Sequence, residues 1–317
     1  MYFTAFVLLS FASVYDAFNR TVYRNDWPKL SLPNQWNSDF VVSINNKNEM
    51  CKYVPDALAW NKINYNMCVR PYPDRVSSQI IEFRKWNDCG ILSKLWSLQT
   101  VVNDDIAKED PYFLDVGSNI GSCVFPFLAN NVRSIAFEPV DANLFYFTST
   151  VLANNGFHKN LRLYKAAASD SVGTQKIYTE DANAGNSVIG KKVPVEHANY
   201  ITSEIHTVIL DDILWPDPTT KPPHIKVMKM DAQGYEIHVL NGAKRLLAAG
   251  AIGIIQFEVA SLWLETQGTT TEQLLHLIHD FGYDIYTCNP KKFILHLLNP
   301  ENYGKRKGIY NLTAKRR

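Results

Sequence analysis

The polar and apolar positions divide this chain near residue 110. Before it, residues 18–75 are rich in Asn, Pro, Tyr and Trp and carry few periodic apolar runs, which reads as an irregular extension. The stretch "SSQIIEFRKWNDCGILSKLWSLQTVVND" then reads as two helical pieces, or a strand and a helix, split near Asp88–Gly90. Ile91, Leu92, Leu95, Trp96, Gln99 and Val102 follow helical spacing, with the apolar members on one face. From Pro111 short apolar runs alternate with amphipathic stretches, the signature of a parallel sheet covered on both faces.

"YFLDV", "SIAFEP", "LRLYKAAAS", "HIKVMKMD" and "AIGIIQFEV" are predicted as the first five strands. Helices are expected from about Ile120 to Asn130, over "DANLFYFTSTVLANNG" with Asp141 as N-cap and Gly156 as stop, over "YEIHVLNGAKRLLAAG", and over "TTTEQLLHLIHDFG". "TQKIYTE" adds β structure, whereas "DANAGNSVIGKKVPVEHA" lacks a steady period and is expected to loop over the strand ends. "EIHTVILDDIL" leads into a short helix ended by Pro216 and Pro218. "YDIYTCN" and "KFILHLL" are expected to close the sheet as an antiparallel pair. The fold class is therefore α/β, a doubly wound seven-stranded sheet, mostly parallel. A two-half dinucleotide fold would have six parallel strands.

Length and charge narrow the function. A chain of 317 residues suits one large domain with an extension. Its net charge of +1 sets up no strong field towards nucleic acid or an anionic membrane. The basic segment "GKRKGIYNLTAKRR" reads as a solvated end. The apolar stretch Tyr2–Val14 is too short to span a bilayer comfortably and suits a signal-peptide core, with Ala12 and Ala17 near a cleavage point. It lacks a basic n-region, so a buried N-terminal helix or strand is the alternative. Secretion would make Asn19 and Asn311, each in an N-x-T triplet, glycosylation acceptors. Of the five cysteines, no two have C-x-x-C spacing, which argues against structural zinc. One pair among Cys51, Cys68 and Cys89 is a candidate disulfide in a secreted chain, while Cys123 and Cys288 read as small buried side chains.

The candidate chemistry lies at the strand ends. In "FLDVGSNIGSCVF", Gly117 allows a tight turn and Gly121 a close helix, with Asp115 just before them. Asp-x-Gly-x-x-x-Gly is not the pyrophosphate fingerprint: the acid would repel a diphosphate and attract an ammonium. Glu138 ends the second strand, where an acid can accept both ribose hydroxyls of an adenosine. "AAASD" offers small residues, Ala168 among them, to leave room for adenine, with Asp170 as a cap or contact. Asp231, in "KMDAQGYE", and Glu258, in "IIQFE", place two acids on neighbouring strand tips, which could share a metal or supply one general base. Lys229 shares a strand face with Asp231 and could pair with an acid. His238 reads as a packed helix residue. No His–acid cluster supports a metal, and none is expected.

In order along the chain these motifs resemble the FkbM-type methyltransferases, a branch of the class I S-adenosylmethionine-dependent enzymes. "FLDVGSNIGSCVFPFLA" is similar to the family's cofactor turn, "AFEP" to its second-strand acid, "TVILDDIL" to its Leu-Asp-Asp element, and "IKVMKMDAQGYEIHVLNGAKRLL" to its Lys-x-Asp-x-Glu-Gly-x-Glu run. The likeness covers about residues 111–289, with a weaker echo from Met67. Gln233 departs from it, standing where the family usually carries Glu. The chain thus divides into a candidate signal peptide at 1–17, an irregular extension at 18–66, a helical segment at 67–110, a Rossmann-like methyltransferase domain at 111–300 and a basic tail at 301–317, with no nucleic-acid partner and no stable membrane span expected from its charge and apolar pattern. The resemblance implies S-adenosyl-L-methionine as cofactor and methyl transfer to a hydroxyl of a sugar, glycan or small metabolite. Asp115 would hold the methionine ammonium, the backbone of Gly117, Ser118 and Asn119 would approach the ligand, and Glu138 would take the ribose. Asp231 is the first candidate base and Glu258 the second. Two other readings compete: an inactive secreted binding protein on this scaffold, and a nicotinamide-dependent oxidoreductase.

Overall fold

The computed structural model describes residues 51–71, 74–100, 104–180, 183–192, 200–289 and 293–317. The apolar stretch at 1–17, the Asn19 triplet and the predicted extension as far as residue 50 lie outside them. Fourteen strands are described: β1 (Lys52–Leu58), β2 (Asn64–Val69), β3 (Tyr112–Val116), β4 (Arg133–Phe137), β5 (Leu161–Tyr164), β6 (Ala167–Ser169), β7 (Gly173–Glu180), β8 (Asn183–Ile189), β9 (Tyr200–Ile209), β10 (Ile225–Met230), β11 (Ile252–Ala260), β12 (Tyr283–Asn289), β13 (Ile294–Leu297) and β14 (Ile309–Arg316). Helices α1 (Arg75–Phe83), α2 (Phe125–Ala129), α3 (Asp141–Leu152) and α4 (Glu236–Asn241) bear on the site.

Eight strands form the central sheet in the order β13-β12-β14-β11-β10-β3-β4-β5. β5, β4, β3, β10 and β11 pair in parallel, and β14 runs antiparallel to both β11 and β12. The chain leaves β3 in one direction through β4 and β5, then returns to build outwards from β10. The switch point therefore lies between β3 and β10, where open α/β sheets bind ligands. Alternate residues serve opposite layers. Phe113, Val227 and Ile254 join one apolar core; Leu114, Met228 and Ile255 join the other. Both faces are covered, which is why these strands read as unbroken apolar runs.

All seven expected strands lie in this sheet, and "KFILHLL" supplies β13, a largely exposed edge antiparallel to β12 as expected; an eighth strand joins them. The basic segment expected as a solvated end is instead β14, inserted between β11 and β12, with Leu312, Thr313 and Ala314 buried. Its basic residues sit where the strand emerges: Arg316 donates to Leu247 O at 2.7 Å and lies over the Tyr283 ring. Ladder bonds to two neighbours, which hydropathy does not register, hold it in the sheet.

Residues 51–69, expected to be irregular, form the antiparallel hairpin β1–β2, joined by the Cys51–Cys68 disulfide. A register shift between Val54 and Ala57, with Asp56 at φ 58°, breaks the alternation of period two. The hairpin, α1 and the following turns pack their apolar side chains (Tyr65, Met67, Ile80, Leu95) on the same core as Phe113 and Phe127. A second disulfide, Cys89–Cys123, corrects the reading of Cys123 as a plain buried thiol; Cys288 is the free cysteine.

The third strand divides into β5 and β6, and β6 joins a separate four-stranded sheet in the order β6-β9-β7-β8. The expected loop at 181–203 contains β8, in which Val188 and Ile189 are buried. Asp141 does not cap α3. Val140 occupies the cap, and Asp141 lies in the first turn, paired with Lys165; the helix ends at Leu152, before Gly156. The helix expected from Ile120 is α-helical only over α2, and "YEIHVLNGAKRLLAAG" breaks into α4 and Lys244–Ala248.

Candidate functional site

The site is built at the carboxyl ends of β3, β4, β10 and β11. Gly117 ends β3 at φ +78°, and a β-carbon there would stand 2.0 Å from the Asp231 carbonyl oxygen. Only glycine lets the β3 and β10 tips approach this closely, closed by Asp231 N donating to Val116 O at 3.0 Å. Asn119 follows at φ 52°, turning its backbone N–H onto Glu138 Oε2 at 2.7 Å.

Glu138, at the tip of β4, is 3% exposed. Its Oε1 accepts from Val140 N at 2.9 Å and from Asn143 Nδ2 at 3.0 Å. Burial raises its pKa, opposed by these hydrogen bonds and by the charge of Arg70. A carboxylate offers about four acceptor sites, and three are taken. The expectation that it accepts both ribose hydroxyls is thus reduced to room for one.

Beneath the turn, Asp115 is fully buried and takes Lys229 Nζ at 3.2 Å. The same ammonium lies 3.2 Å from Gly117 O and 3.5 Å from Asp231 Oδ2. Burial lifts Asp115 to about 6, with Lys229 holding it down. Burial would depress Lys229, but the charges of Asp115 and Asp231 outweigh it and raise the ammonium's pKa. Asp115 therefore faces a cation of its own chain.

Above Lys229, Gln233 sits at φ 52° and spans the two strand-tip acids. Its Nε2 donates to Asp231 Oδ1 at 2.5 Å and to Glu258 Oε2 at 3.0 Å. Glu258 is raised well above the usual carboxylate range by burial, then by the charges of Asp231 and Glu236. Glu236, the first residue of α4, folds back to accept from Ala232 N at 3.0 Å and Gly234 N at 3.3 Å; burial lifts it to about 7.

These groups surround one cavity of about 1090 Å³, its open mouth included. Gly117, Ser118, Asn119, Glu138, Ala168, Asp231 and Glu258, all expected in the site, line it. Asp115, Gly121 and Asp170 do not. Asp115 is covered by Lys229. The space a Gly121 side chain would need is filled by Phe125 and Phe147. Asp170 points to His238, 2.9 Å away, which stacks on Tyr235. The motifs left out a second wall: Arg75, Trp86 and Asp88 from the N-terminal segment, and Asn186 and Ser187 from β8.

Among the described residues no group of three or more His, Cys, Asp or Glu side chains could hold a metal, and no helix is long and apolar enough to cross a membrane. A family model, the methyltransferase FkbM domain, matches residues 115–285, more than half of the chain. No curated protein matches. Three similar solved structures are the methyltransferase FkbM of Methylobacillus flagellatus KT (15% identity, 67% of this chain, TM-score 0.37), the precorrin-6y C5,15-methyltransferase of Geobacter metallireducens GS-15 (14%, 72% of this chain and 87% of that one, 0.36), and the magnesium protoporphyrin IX methyltransferase of Synechocystis PCC 6803 with bound SAH (10%, 78% and 90%, 0.37). This chain spans 46% of the Methylobacillus protein's length.

Proposed function

The chain belongs to the FkbM methyltransferase domain family, and from that membership we propose that it transfers a methyl group from S-adenosylmethionine to a hydroxyl oxygen of a sugar, glycan or small metabolite. One observation carries the reading: Glu138 is buried yet lines the cavity, anchored by three hydrogen bonds one strand away from the Gly117 turn. The bound cofactor supplies an electrophilic sulfonium methyl, which leaves orientation and proton removal to the protein.

Gly117, Ser118 and Asn119 bring bare backbone to the methionine end. Asn119 Oδ1, buried without a hydrogen-bond partner among the described residues, fits a cationic donor there. The remaining acceptor site of Glu138 takes one ribose hydroxyl. Ala166, Ala167 and Ala168, with Phe137 and Val140, leave a slot for the flat base. Both oxygens of Asp231 are engaged, by Gln233 and Lys229, whereas Gln233 engages one oxygen of Glu258. Glu258, with its raised proton affinity, is therefore the better acceptor for the hydroxyl proton, and Asp231 orients it through Gln233. Gln233 leaves both acids in place, which favours turnover over a binding-only scaffold. Two disulfides favour an oxidising, secretory setting.

Calorimetric titration with S-adenosylmethionine, S-adenosylhomocysteine and NAD tests the reading. Binding of the first two without NAD is expected. Uptake of NAD with neither sulfur nucleoside would refute it.

A further inference from the structure

Arg70 lies outside the segment matched by the family model and does not line the cavity. It is nevertheless a fully buried cation, and a guanidinium is not placed in a core without a partner to offset its desolvation. Its Nη2 donates to Asn143 Oδ1, and the guanidinium lies 5.0 Å from the centre of the Tyr146 ring. Nε and Nη1 have no hydrogen-bond partner among the described residues. The Asp74 carboxylate stands 3.9 Å away.

Both partners lead to the cavity. With its oxygen taken by Arg70, the Asn143 amide must turn its Nδ2 to Glu138 Oε1, 3.0 Å away. A free amide could present either end; this one cannot. On the other side, Asp74 caps α1 by accepting from Val76 N at 3.0 Å and Ser77 N at 3.1 Å, while Arg70 N donates to Ser77 Oγ at 3.1 Å. Arg75 and Val76, the first residues of α1, line the cavity. We propose that Arg70 is a positioning residue of the cofactor site, which orients the Glu138 carboxylate through Asn143 and fixes the α1 wall through Asp74.

The inference rests on the proposed role of Glu138 at the ribose. The charge that faces Glu138 and favours its ionised form is that of Arg70; the nearby Asp141 is paired with Lys165, and Asp74 lies behind Arg70. Without Arg70 the carboxyl keeps its proton to a higher pH, and a protonated carboxyl is the poorer acceptor for a ribose hydroxyl. Affinity for S-adenosylhomocysteine should then fall more steeply on acidification. Each unit by which the Glu138 pKa rises costs up to about tenfold in affinity below both values.

The test is the dissociation constant of S-adenosylhomocysteine from about pH 6 to pH 8.5 in the wild type, Arg70→Met, Glu138→Gln and the double variant. Arg70→Met should bind more weakly than the wild type towards the acid end of this range, by up to about tenfold for each unit by which the Glu138 pKa rises, with the deficit shrinking towards pH 8.5. In the Glu138→Gln background the Arg70 substitution should add no pH dependence. A deficit equal at every pH, or one whose pH dependence survives without Glu138, overturns the inference, because a merely structural arginine would behave that way. If Arg70→Met does not fold, Asn143→Leu cuts the same relay with the cation retained; a wild-type pH profile there overturns the inference as well. Unchanged affinity in Glu138→Gln instead removes the ribose reading itself, so the two failures are distinct.

Discussion

Replacing Lys229 by Met strips the fully buried Asp115 of its counter-ion. Asp115 already has a pKa raised from 3.8 to about 6. A carboxyl raised on folding favours the folded state in acid, and this contribution is lost as pH rises through the folded value. Above pH 6 the penalty in the wild type is therefore about 3 kcal/mol, two units at about 1.4 kcal/mol each. Without Lys229 the group can avoid charge only by keeping a proton, which at pH 8 costs a free pKa of 3.8 about 6 kcal/mol. At pH 5 both proteins hold Asp115 largely protonated, at about 1.6 kcal/mol each. The destabilisation by Lys229→Met should thus grow by about 3 kcal/mol between pH 5 and pH 8. Lost packing of the lysine stem adds an offset that does not vary with pH. Urea unfolding at the two pH values measures the difference, and Asp115→Asn in the variant should remove most of the growth, the remainder coming from Asp231 and Glu258, which Lys229 also faces. An equal loss at both pH values, or no effect of Asp115→Asn, would show that the pair is not what keeps this carboxylate in the core.

Two further outcomes are expected. Glu258→Gln should leave S-adenosylhomocysteine affinity within about twofold while lowering the methyl-transfer rate by roughly 10²–10⁴-fold, the usual worth of a general base. In the wild type the rate should rise with pH as Glu258 ionises, since its proton affinity is raised; a rate–pH profile unaffected by Glu258→Gln counts against its role. Thiol titration of the unfolded, oxidised chain should find one reactive cysteine, Cys288, and five after reduction. Loss of either bridge should cost about 3 kcal/mol in unfolding measurements, and more than one thiol before reduction contradicts the pairing.

The parallel core was legible because each of its strands serves two apolar layers, so hydropathy alone marked β3, β4, β10 and β11. The strand-tip acids were legible for a related reason: Glu138, Asp231 and Glu258 are charged residues at the ends of apolar runs, and the fold places such ends together. What failed to show depended on pairing rather than composition. β14 lies in a segment flanked by basic residues and ends on Lys315 and Arg316, yet it is fixed by neighbours on both sides. The β1–β2 hairpin lost its alternation to a bulge. Asp115 failed for an electrostatic reason. Its spacing matched a ligand-facing acid, but Lys229, two residues before Asp231 on the adjacent strand, neutralises it from its own chain.

That substitution of an internal cation for an external one changes where selectivity arises. If Asp115 gripped the ligand's ammonium directly, the cofactor turn alone would discriminate against a diphosphate. With Lys229 interposed, the turn is close to neutral, and in the proposed binding mode discrimination falls to Glu138, whose carboxylate has one acceptor site left and lines the cavity. Glu138 is in turn held by Asn143 and Arg70, the latter from a segment upstream of the matched domain. The second wall has the same dependence: Trp86 and Asp88 line the cavity from a turn tied through Cys89–Cys123 to the segment that follows Gly117. A protein cut back to residues 115–285 would retain Gly117, Glu138, Asp231 and Glu258 but lose the groups that orient Glu138 and one wall of the cavity. The N-terminal segment is therefore part of the site's chemistry and not an appendage to it.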